Sequence, residues 1–362
     1  MSEAKLTVGG QAVLEGVMMR SPKCFAVAVR RKAGDLVIRE QPWVSKWGHR
    51  VGKIPFVRGA MTLVESMSNG YAALRFSADQ MEADLAADEL AEARERGQEA
   101  AYRAAAAKQS ERGGSSGAGT RLATLFAVAL FIALPQLLAW VVGRWIGHGI
   151  GLQHFWFHAI TGAFKLTIVL GYLLLLRRIP DIRRVFQYHG AEHKVIATYE
   201  ANEPLTVEFA RKHSTRHARC GTTFLIVVVI VSVFAYAAIL PPLLRGITGA
   251  TAQITAIVLK VLMLPLIAGF AYELQRLGAR FSKNPIAAIF LAPGYWVQGI
   301  TTIEPSDDQL EVALASLRVT LVREAEAQRG TQKVLDGPVV ASFSSFASFA
   351  ESFGGLDARP AM

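Results

Sequence analysis

The chain contains few cysteines and no amino-terminal run typical of secretion. Only two cysteines occur among its 362 residues, Cys24 and Cys220, and they lie far apart in sequence. This excludes a disulfide framework and predicts free thiols in a reducing compartment, or one metal ligand and one bystander. The first thirty residues carry Glu3 and Glu15 and lack a long apolar core ahead of a cleavage site. A secretory signal peptide is therefore not expected.

Charged residues are also scarce, and the apolar residues occur in blocks. Charged residues make up 19% of the chain, apolar residues 52%, and the mean hydropathy is +0.29, which is too apolar for an ordinary soluble protein. Four blocks are long enough to cross a hydrocarbon core, which needs about 20 residues. The sequence therefore predicts a mainly α-helical membrane protein with about four transmembrane helices, at residues 122–142, 155–176, 222–244 and 254–272.

Basic residues concentrate in the connection between the second and third blocks. Residues 177–221 carry nine basic and five acidic side chains, a net charge of +4, whereas the first and third connections offer only Arg144 and Arg245. The positive-inside rule then places this loop and both termini in the cytoplasm, in a multi-pass protein of the bacterial inner membrane. Because that orientation already explains the positive charge, the lipid bilayer is the expected partner and nucleic acid is not.

The amino-terminal region is predicted to be a small β-containing cytoplasmic part, residues 1–78. Residues 24–30 and 36–39 are β-prone and are joined by a turn containing Gly34, as in a hairpin. Large apolar residues then recur at helical spacing over residues 54–76, which indicates an interfacial helix or helix pair punctuated by Gly59 and Gly70.

Four further segments complete the predicted organisation. Residues 79–120 are expected to form a solvated Ala/Glu/Arg helix and a Gly/Ser linker, followed by the membrane domain at 121–303. Within that domain, residues 286–300 are too short to span and are expected to be interfacial and broken at Pro293 and Gly294. Ser306 and Gln309 predict a capping box that starts an amphipathic helix at 304–330. Residues 331–362 repeat Ser, Phe and Ala without a packing period, which predicts disorder.

The stretch His189-Gly190-Ala191-Glu192-His193 is the sequence feature most suggestive of chemistry. On a helix, the two histidines lie one turn apart on one face and Glu192 stands beside them. This is the arrangement that in inverzincin-type sites supplies two metal ligands and a general base.

A second group lies further along the same loop. His213, His217 and Cys220 are spaced i, i+4 and i+7, so they would share a face if they were helical. Two zinc sites are then possible. In one, His189 and His193 bind the metal with Glu273 while Glu192 activates water for hydrolysis; in the other, histidines of both groups and Cys220 form a closed structural site. The alternative is that the histidines are interfacial hydrogen-bonding groups, because Arg216 and Arg219 would repel a dication.

Several unrelated motifs occur in a fixed order along the chain: residues 9–20 (GGQAVLEGVMMR), 189–194 (HGAEHK), 217–222 (HARCGT), 293–294 (PG) and 301–305 (TTIEP). With these motifs the chain resembles the YqhQ-type family of bacterial membrane proteins. The resemblance covers most of residues 5–320, whereas residues 79–118 and the tail look like additions. It implies a membrane protein and a predicted metal-dependent enzyme, with no reaction specified.

Two functions without a metal-dependent reaction are also compatible with the sequence. The β-containing part, the interfacial helices and the carboxy-terminal helix would suit an accessory or scaffold factor for membrane-protein biogenesis, with membrane proteins as partners. Lys165 and Lys260 fall inside predicted spans, as in transporters, although snorkelling toward the interface explains them more simply. The sequence predicts neither a substrate nor an oligomeric state.

Overall fold

The fold is given by a computed structural model, which describes residues 6–43, 54, 56–104, 116–145, 150–281, 284–330 and 338–353. The glycine-rich part of the predicted linker, residues 113–115, and the end of the predicted disordered tail, residues 354–362, lie outside the described residues.

The described strands form one antiparallel sheet in the order β1-β2-β3-β4-β5. The hairpin predicted around Gly34 is confirmed, because β3 and β4 pair through residues Arg30 and Leu36 and Gly34 has a φ of 94° in the turn. Tight turns connect β1 to β2 and β3 to β4, so four strands come from one short stretch of chain. The strands are β1 (Gly9–Val13), β2 (Gly16–Arg20), β3 (Cys24–Arg30), β4 (Leu36–Pro42) and β5 (Val339–Phe343).

Both faces of the sheet are covered by helices, which explains why its strands are apolar at consecutive positions. Met19, Ala28 and Ile38 face helices α5 (Pro180–Ala201) and α10 (Asp307–Arg329), and the intervening residues face α1 (Val57–Glu95). Successive residues of a strand point to opposite faces, so a strand buried on both sides has no polar face. The capping box predicted at Ser306 and Gln309 begins α10.

Among the described residues, four helical segments are long and apolar enough to cross a membrane, as predicted. The first runs from α2 (Ser116–Val128) through a π-helical turn at Ala129–Ala133 into α3 (Leu134–Trp145). The others are α4 (Phe155–Leu176), α7 (Gly221–Leu243) and α8 (Gly249–Arg280). Short α6 (Val207–Lys212) follows α5, and α9 (Pro285–Thr301) follows α8.

The membrane domain differs from the sequence prediction at Lys260 and Pro293. Lys260 does not snorkel outward: its side chain is buried between helices, and Nζ donates to Gln136 Oε1 at 2.6 Å. Helix α9 continues through Pro293 and Gly294. Gly294 packs directly on Thr223 of α7, since a Cβ at residue 294 would come within 2.5 Å of the threonine methyl group. This packing against α7 offsets the backbone hydrogen-bond donor that Pro293 lacks.

The amino-terminal helix is a single continuous element rather than a pair. Gly59 and Gly70 lie within α1 and mark close packing instead of breaks. A Cβ at Gly59 would lie 2.9 Å from Cβ of Tyr272 on α8, so the glycine lets the two helices approach each other.

The predicted disorder of the tail is wrong for residues 339–352. Strand β5 pairs with β4 at the edge of the sheet, and α11 (Phe346–Ser352) begins with a capping box formed by Ser345 and Ser348. Phe349 is fully buried in the core beneath the sheet. A five-residue strand and a seven-residue helix are too short for a Ser/Phe sequence to show a strand or helix period.

We expect Phe349→Ala to destabilise the protein by about 3–5 kcal/mol, because a fully buried aromatic side chain would leave a cavity. Thermal unfolding of the full-length protein in detergent measures the change. Val340→Ala in β5 is the matched control, since Val340 is 55% exposed. Equal midpoints for the wild type and Phe349→Ala would show that α11 does not contribute to the core.

Candidate metal centre

Helix α5 carries the central motif of the site. The helix begins at Pro180, and Asp181 lies beside the free amides of its first turn. It is capped after Ala201 by Asn202, which adopts a left-handed conformation. His189 and His193 lie one turn apart on this helix, as predicted, and their ring centroids are 4.5 Å apart. The sequence alone therefore predicted that these two imidazole rings lie together.

The glycine of the motif has a packing role. At Gly190 the helix touches the backbone of Ile303, so closely that a Cβ there would overlap the Ile303 carbonyl. The Ile303 amide donates to the Phe186 carbonyl at 3.0 Å and fixes this contact. As a result, the Thr301 carbonyl at the end of α9 lies within hydrogen-bonding distance of His189.

The second group is not helical, which corrects the predicted shared face of His213, His217 and Cys220. Helix α6 ends at Lys212, and Cys220 has extended backbone as the N-cap of α7. The fully buried Gln298 of α9 holds the intervening segment. Its Oε1 accepts from the His217 amide and its Nε2 donates to the His217 carbonyl, each at 2.8 Å. This clamp, rather than a helix, brings Cys220 to α5.

His189, His193 and Cys220 converge at one point. One nitrogen of each imidazole and the Cys220 sulfur all lie within 4.8 Å of one another, and the sulfur is 3.3 Å from Nε2 of His189. Distances of this order leave room for one ion between the three atoms after small adjustments.

The hydrogen bonds of the two histidines set their tautomers. Nδ1 of His189 lies 2.9 Å from the Thr301 carbonyl, and Nδ1 of His193 lies 2.5 Å from the Thr215 carbonyl. Because a carbonyl oxygen can only accept, each Nδ1 carries the proton and each Nε2 keeps a lone pair. Metal-binding histidines in proteins are oriented by this kind of second hydrogen bond.

The other proposed ligands have different partners. His213 Nε2 lies 2.7 Å from a Glu203 oxygen, and Glu273 pairs with Arg58 on α1 at 2.5 Å. The ring of His217 is 5.7 Å from that of His193, but its Nε2 faces Glu200 at 3.2 Å. The structure therefore brings His189, His193 and Cys220 together and leaves His213, His217 and Glu273 in polar contacts around them.

Glu192 is buried beside the three residues, with 5% of its surface exposed. Burial raises the pKa of its carboxyl group, while His189, His217 and a hydrogen bond from the Gly10 amide act in the opposite direction. Burial also lowers the pKa of His193, which favours the neutral imidazole that binds metals.

A cavity of about 480 Å³ connects these groups with the sheet. Its walls include Glu192, the three converging residues and the start of β1 at Gly9, Gly10 and Gln11. Sequence reasoning did not assign Gly10 or Gln298 to the site. The consecutive glycines at residues 9 and 10 indicate a place where another group can approach the backbone closely. Nothing in the sequence singled out Gln298.

Comparison with known proteins places the chain in a family. Residues 54–323 match a family model described as "Protein of unknown function (DUF1385)". The chain belongs to this family. It is also 34% identical over 334 residues to the "Uncharacterized protein YqhQ" of Bacillus subtilis (strain 168), an alignment that covers 89% of this chain and 94% of the relative. These matches confirm the family resemblance but specify no reaction. No solved structure matches the chain.

We expect Gly10→Ala to displace Glu192 and to destabilise the protein by about 1–3 kcal/mol, through overpacking of a buried site. The new Cβ would lie 2.8 Å from both Cγ and Oε1 of Glu192. Gly9→Ala is the matched control, because its Cβ would lie 3.7 Å from the nearest atom, Arg20 Nε.

A double-mutant cycle identifies the cause of the loss. In a Glu192→Ala background the clashing carboxyl group is absent, so Gly10→Ala should cost much less there, as measured by thermal unfolding. The same cost in both backgrounds would mean that Gly10 is constrained by something other than Glu192.

Proposed function

We propose that the protein is a membrane-embedded, zinc-dependent hydrolase, with His189, His193 and Cys220 as metal ligands and Glu192 as general base. One observation carries the proposal. Two imidazole nitrogens with free lone pairs and one thiol converge within 4.8 Å of each other, beside a buried carboxyl group in a cavity.

The donor set suits zinc. Two nitrogens and one sulfur are ligands that zinc accepts in tetrahedral geometry, and three protein ligands leave a fourth position open, as in catalytic rather than structural sites. Cys220 must lose its proton to bind. It lies at the N-cap of α7, where the Thr222 amide donates to its sulfur.

Glu192 fits the role of a proton acceptor. Its carboxyl group lines the same cavity as the three ligands, and burial raises its pKa, which makes its carboxylate a stronger base. In hydrolysis, a carboxylate oxygen of Glu192 takes a proton from water, the water oxygen bonds to the substrate, and the proton is returned to the departing group. The metal would supply electrostatic activation of that water.

We propose the cytoplasm as the location of this site. The segment between α4 and α7, which carries the three ligands, has a net charge of +4 over residues 177–221. By the positive-inside rule, this charge orients the site, the sheet and both termini toward the cytoplasm of the bacterial cell.

One observation favours a second candidate function, an accessory factor that binds other membrane proteins. Helix α1 exposes Val64, Met67 and Tyr71, which are 53%, 67% and 69% exposed. An exposed apolar stripe suits a partner or the membrane interface. An accessory factor needs no open metal position, so the metal-binding experiment separates the two functions.

We expect the purified full-length protein, dialysed against buffered zinc in detergent, to retain about one zinc ion per chain. His189→Ala, His193→Ala and Cys220→Ser should each lose most of it, because each removes a ligand. Elemental analysis of protein and metal measures the ratio.

His213→Ala, His217→Ala and Glu273→Gln are the controls, since the partners of these side chains are Glu203, Glu200 and Arg58. They should retain the wild-type metal content. Near-zero metal in the wild type, or the same content in all variants, would refute the metal centre.

We expect Glu192→Gln to retain zinc but to lower hydrolysis by on the order of 10²-fold, because the amide cannot accept the proton. The zinc-loaded protein is assayed with p-nitrophenyl phosphate, bis-p-nitrophenyl phosphate and p-nitrophenyl acetate. Thermal unfolding verifies folding, and the amide should be tolerated because glutamine has the shape of glutamate and its oxygen can still accept from the Gly10 amide. Zinc-dependent turnover at the wild-type rate in Glu192→Gln would exclude Glu192 as the base.

A further inference from the structure

A second and larger cavity adjoins the candidate metal centre. It measures about 970 Å³ and lies between the sheet, α1 and the final turns of α8. Arg20 and Arg219 line both cavities. A molecule bound in the larger cavity would therefore be next to the metal centre.

The walls of the larger cavity are strongly basic. Five arginines face two glutamates, so the lining has a net charge of +3. The arginines come from four separate parts of the chain: Arg20 from β2, Arg58 from α1, Arg219 from the segment before α7, and Arg276 and Arg280 from α8.

Part of this charge is not neutralised by the protein. Arg58 forms an ion pair with Glu273, and Arg219 forms one with Glu200. Of the other three, Arg20 lies near the charge of Glu65 and Arg276 near that of Glu273, so the five arginines still outnumber the neighbouring carboxylates by two. Burial lowers the pKa of Arg20, whose guanidinium stacks over the Trp43 ring at 4.9 Å, so the fold places this charge where solvation is reduced.

Membrane orientation alone does not explain this arrangement. The positive-inside rule accounts for Arg276 and Arg280, which flank the end of an apolar helix. It does not account for Arg20, which lies on a strand and is turned into the cavity, because orienting a helix requires no buried guanidinium. An anion of the right size would neutralise these groups together.

One side of the cavity carries an exposed apolar surface, at the end of a helix that is long and apolar enough to cross a membrane. Leu277 lines the cavity and is 54% exposed, and Leu274 and Phe281 on the same part of α8 are 38% and 51% exposed. A free anion gains nothing from this surface, whereas an acyl or isoprenoid chain would lie along it while its headgroup meets the arginines.

We propose that this arginine-lined cavity binds the phosphate headgroup of a membrane amphiphile. Arginine recognises phosphate through paired hydrogen bonds, and arginines from four parts of the chain line this one cavity, which suits a single headgroup better than a diffuse membrane surface. We assign this amphiphile as the substrate class of the adjoining metal centre, and that assignment rests on the proposed function. The binding itself requires no metal.

Binding is measured by native mass spectrometry of the full-length protein in non-ionic detergent, after removal of co-purified lipid. The ligand is dioctanoyl phosphatidic acid. Inorganic phosphate and dioctanoyl phosphatidylcholine are the comparison arms, because they separate a free anion and a zwitterionic headgroup from an anionic amphiphile. Zinc content is determined on the same samples.

Two independent variants test the cavity. Arg20→Gln and the double variant Arg276→Gln/Arg280→Gln should each weaken phosphatidic acid binding by about tenfold or more, since each removes charge-assisted hydrogen bonds. Their zinc content should not change. The matched control is Arg178→Gln/Arg183→Gln, which removes two exposed arginines from the same predicted side of the membrane and should bind normally.

The two proposals fail in different ways. His189→Ala should lose zinc and keep the lipid. Absence of zinc from the wild-type protein, with intact lipid binding, would overturn only the metal centre. Phosphatidic acid binding that is unchanged in both arginine variants would overturn the cavity as the headgroup site. Equal affinity for inorganic phosphate or phosphatidylcholine would overturn the assignment of an anionic amphiphile.

Discussion

The contact between Gly190 and the Ile303 backbone is the constraint on which the candidate metal centre depends. It sets the distance between α5 and the end of α9, and hence the hydrogen bond between His189 and the Thr301 carbonyl. That bond fixes the tautomer and leaves Nε2 facing Cys220. The same part of α9 carries Gln298, which clamps the segment leading to Cys220. One close helix approach therefore positions candidate ligands that are separated by about thirty residues of sequence.

The sequence predicted those features that depend on short-range patterns. The four apolar spans, the hairpin at Gly34 and the pairing of His189 with His193 each follow from length or spacing within one element. Recognising which third residue joins the two histidines required tertiary information. Cys220 and Glu273 were both reasonable candidates, but Glu273 is held by Arg58 from α1, and that contact joins residues 215 positions apart. No local pattern could have shown that α1 lies along α8.

The remaining errors share a physical cause, which is that packing overrode local propensity. Pro293 lacks a backbone donor and predicted a break, yet α9 continues because Gly294 packs on α7. Ser and Phe repeats predicted disorder, yet Phe349 completes the core beneath the sheet. The i, i+4, i+7 spacing of His213, His217 and Cys220 would put them on one face of a helix, yet the segment is irregular and Gln298 provides polar partners for it. In each case a neighbouring element made contacts that the sequence window did not contain.

Arg216 and Arg219 argue against a metal site because they would repel a dication, and the structure reduces this repulsion at Arg219. Arg219 would repel a dication, but it is paired with Glu200, which also contacts His217. The repulsion is thereby reduced where the ligands converge. A positive field close to the site would also attract the anionic amphiphile proposed as substrate. The proposed metal and the proposed substrate would thus make different demands on the same charges. In the structure Arg219 is paired with Glu200, whereas Arg20 stacks on Trp43 and lines the larger cavity.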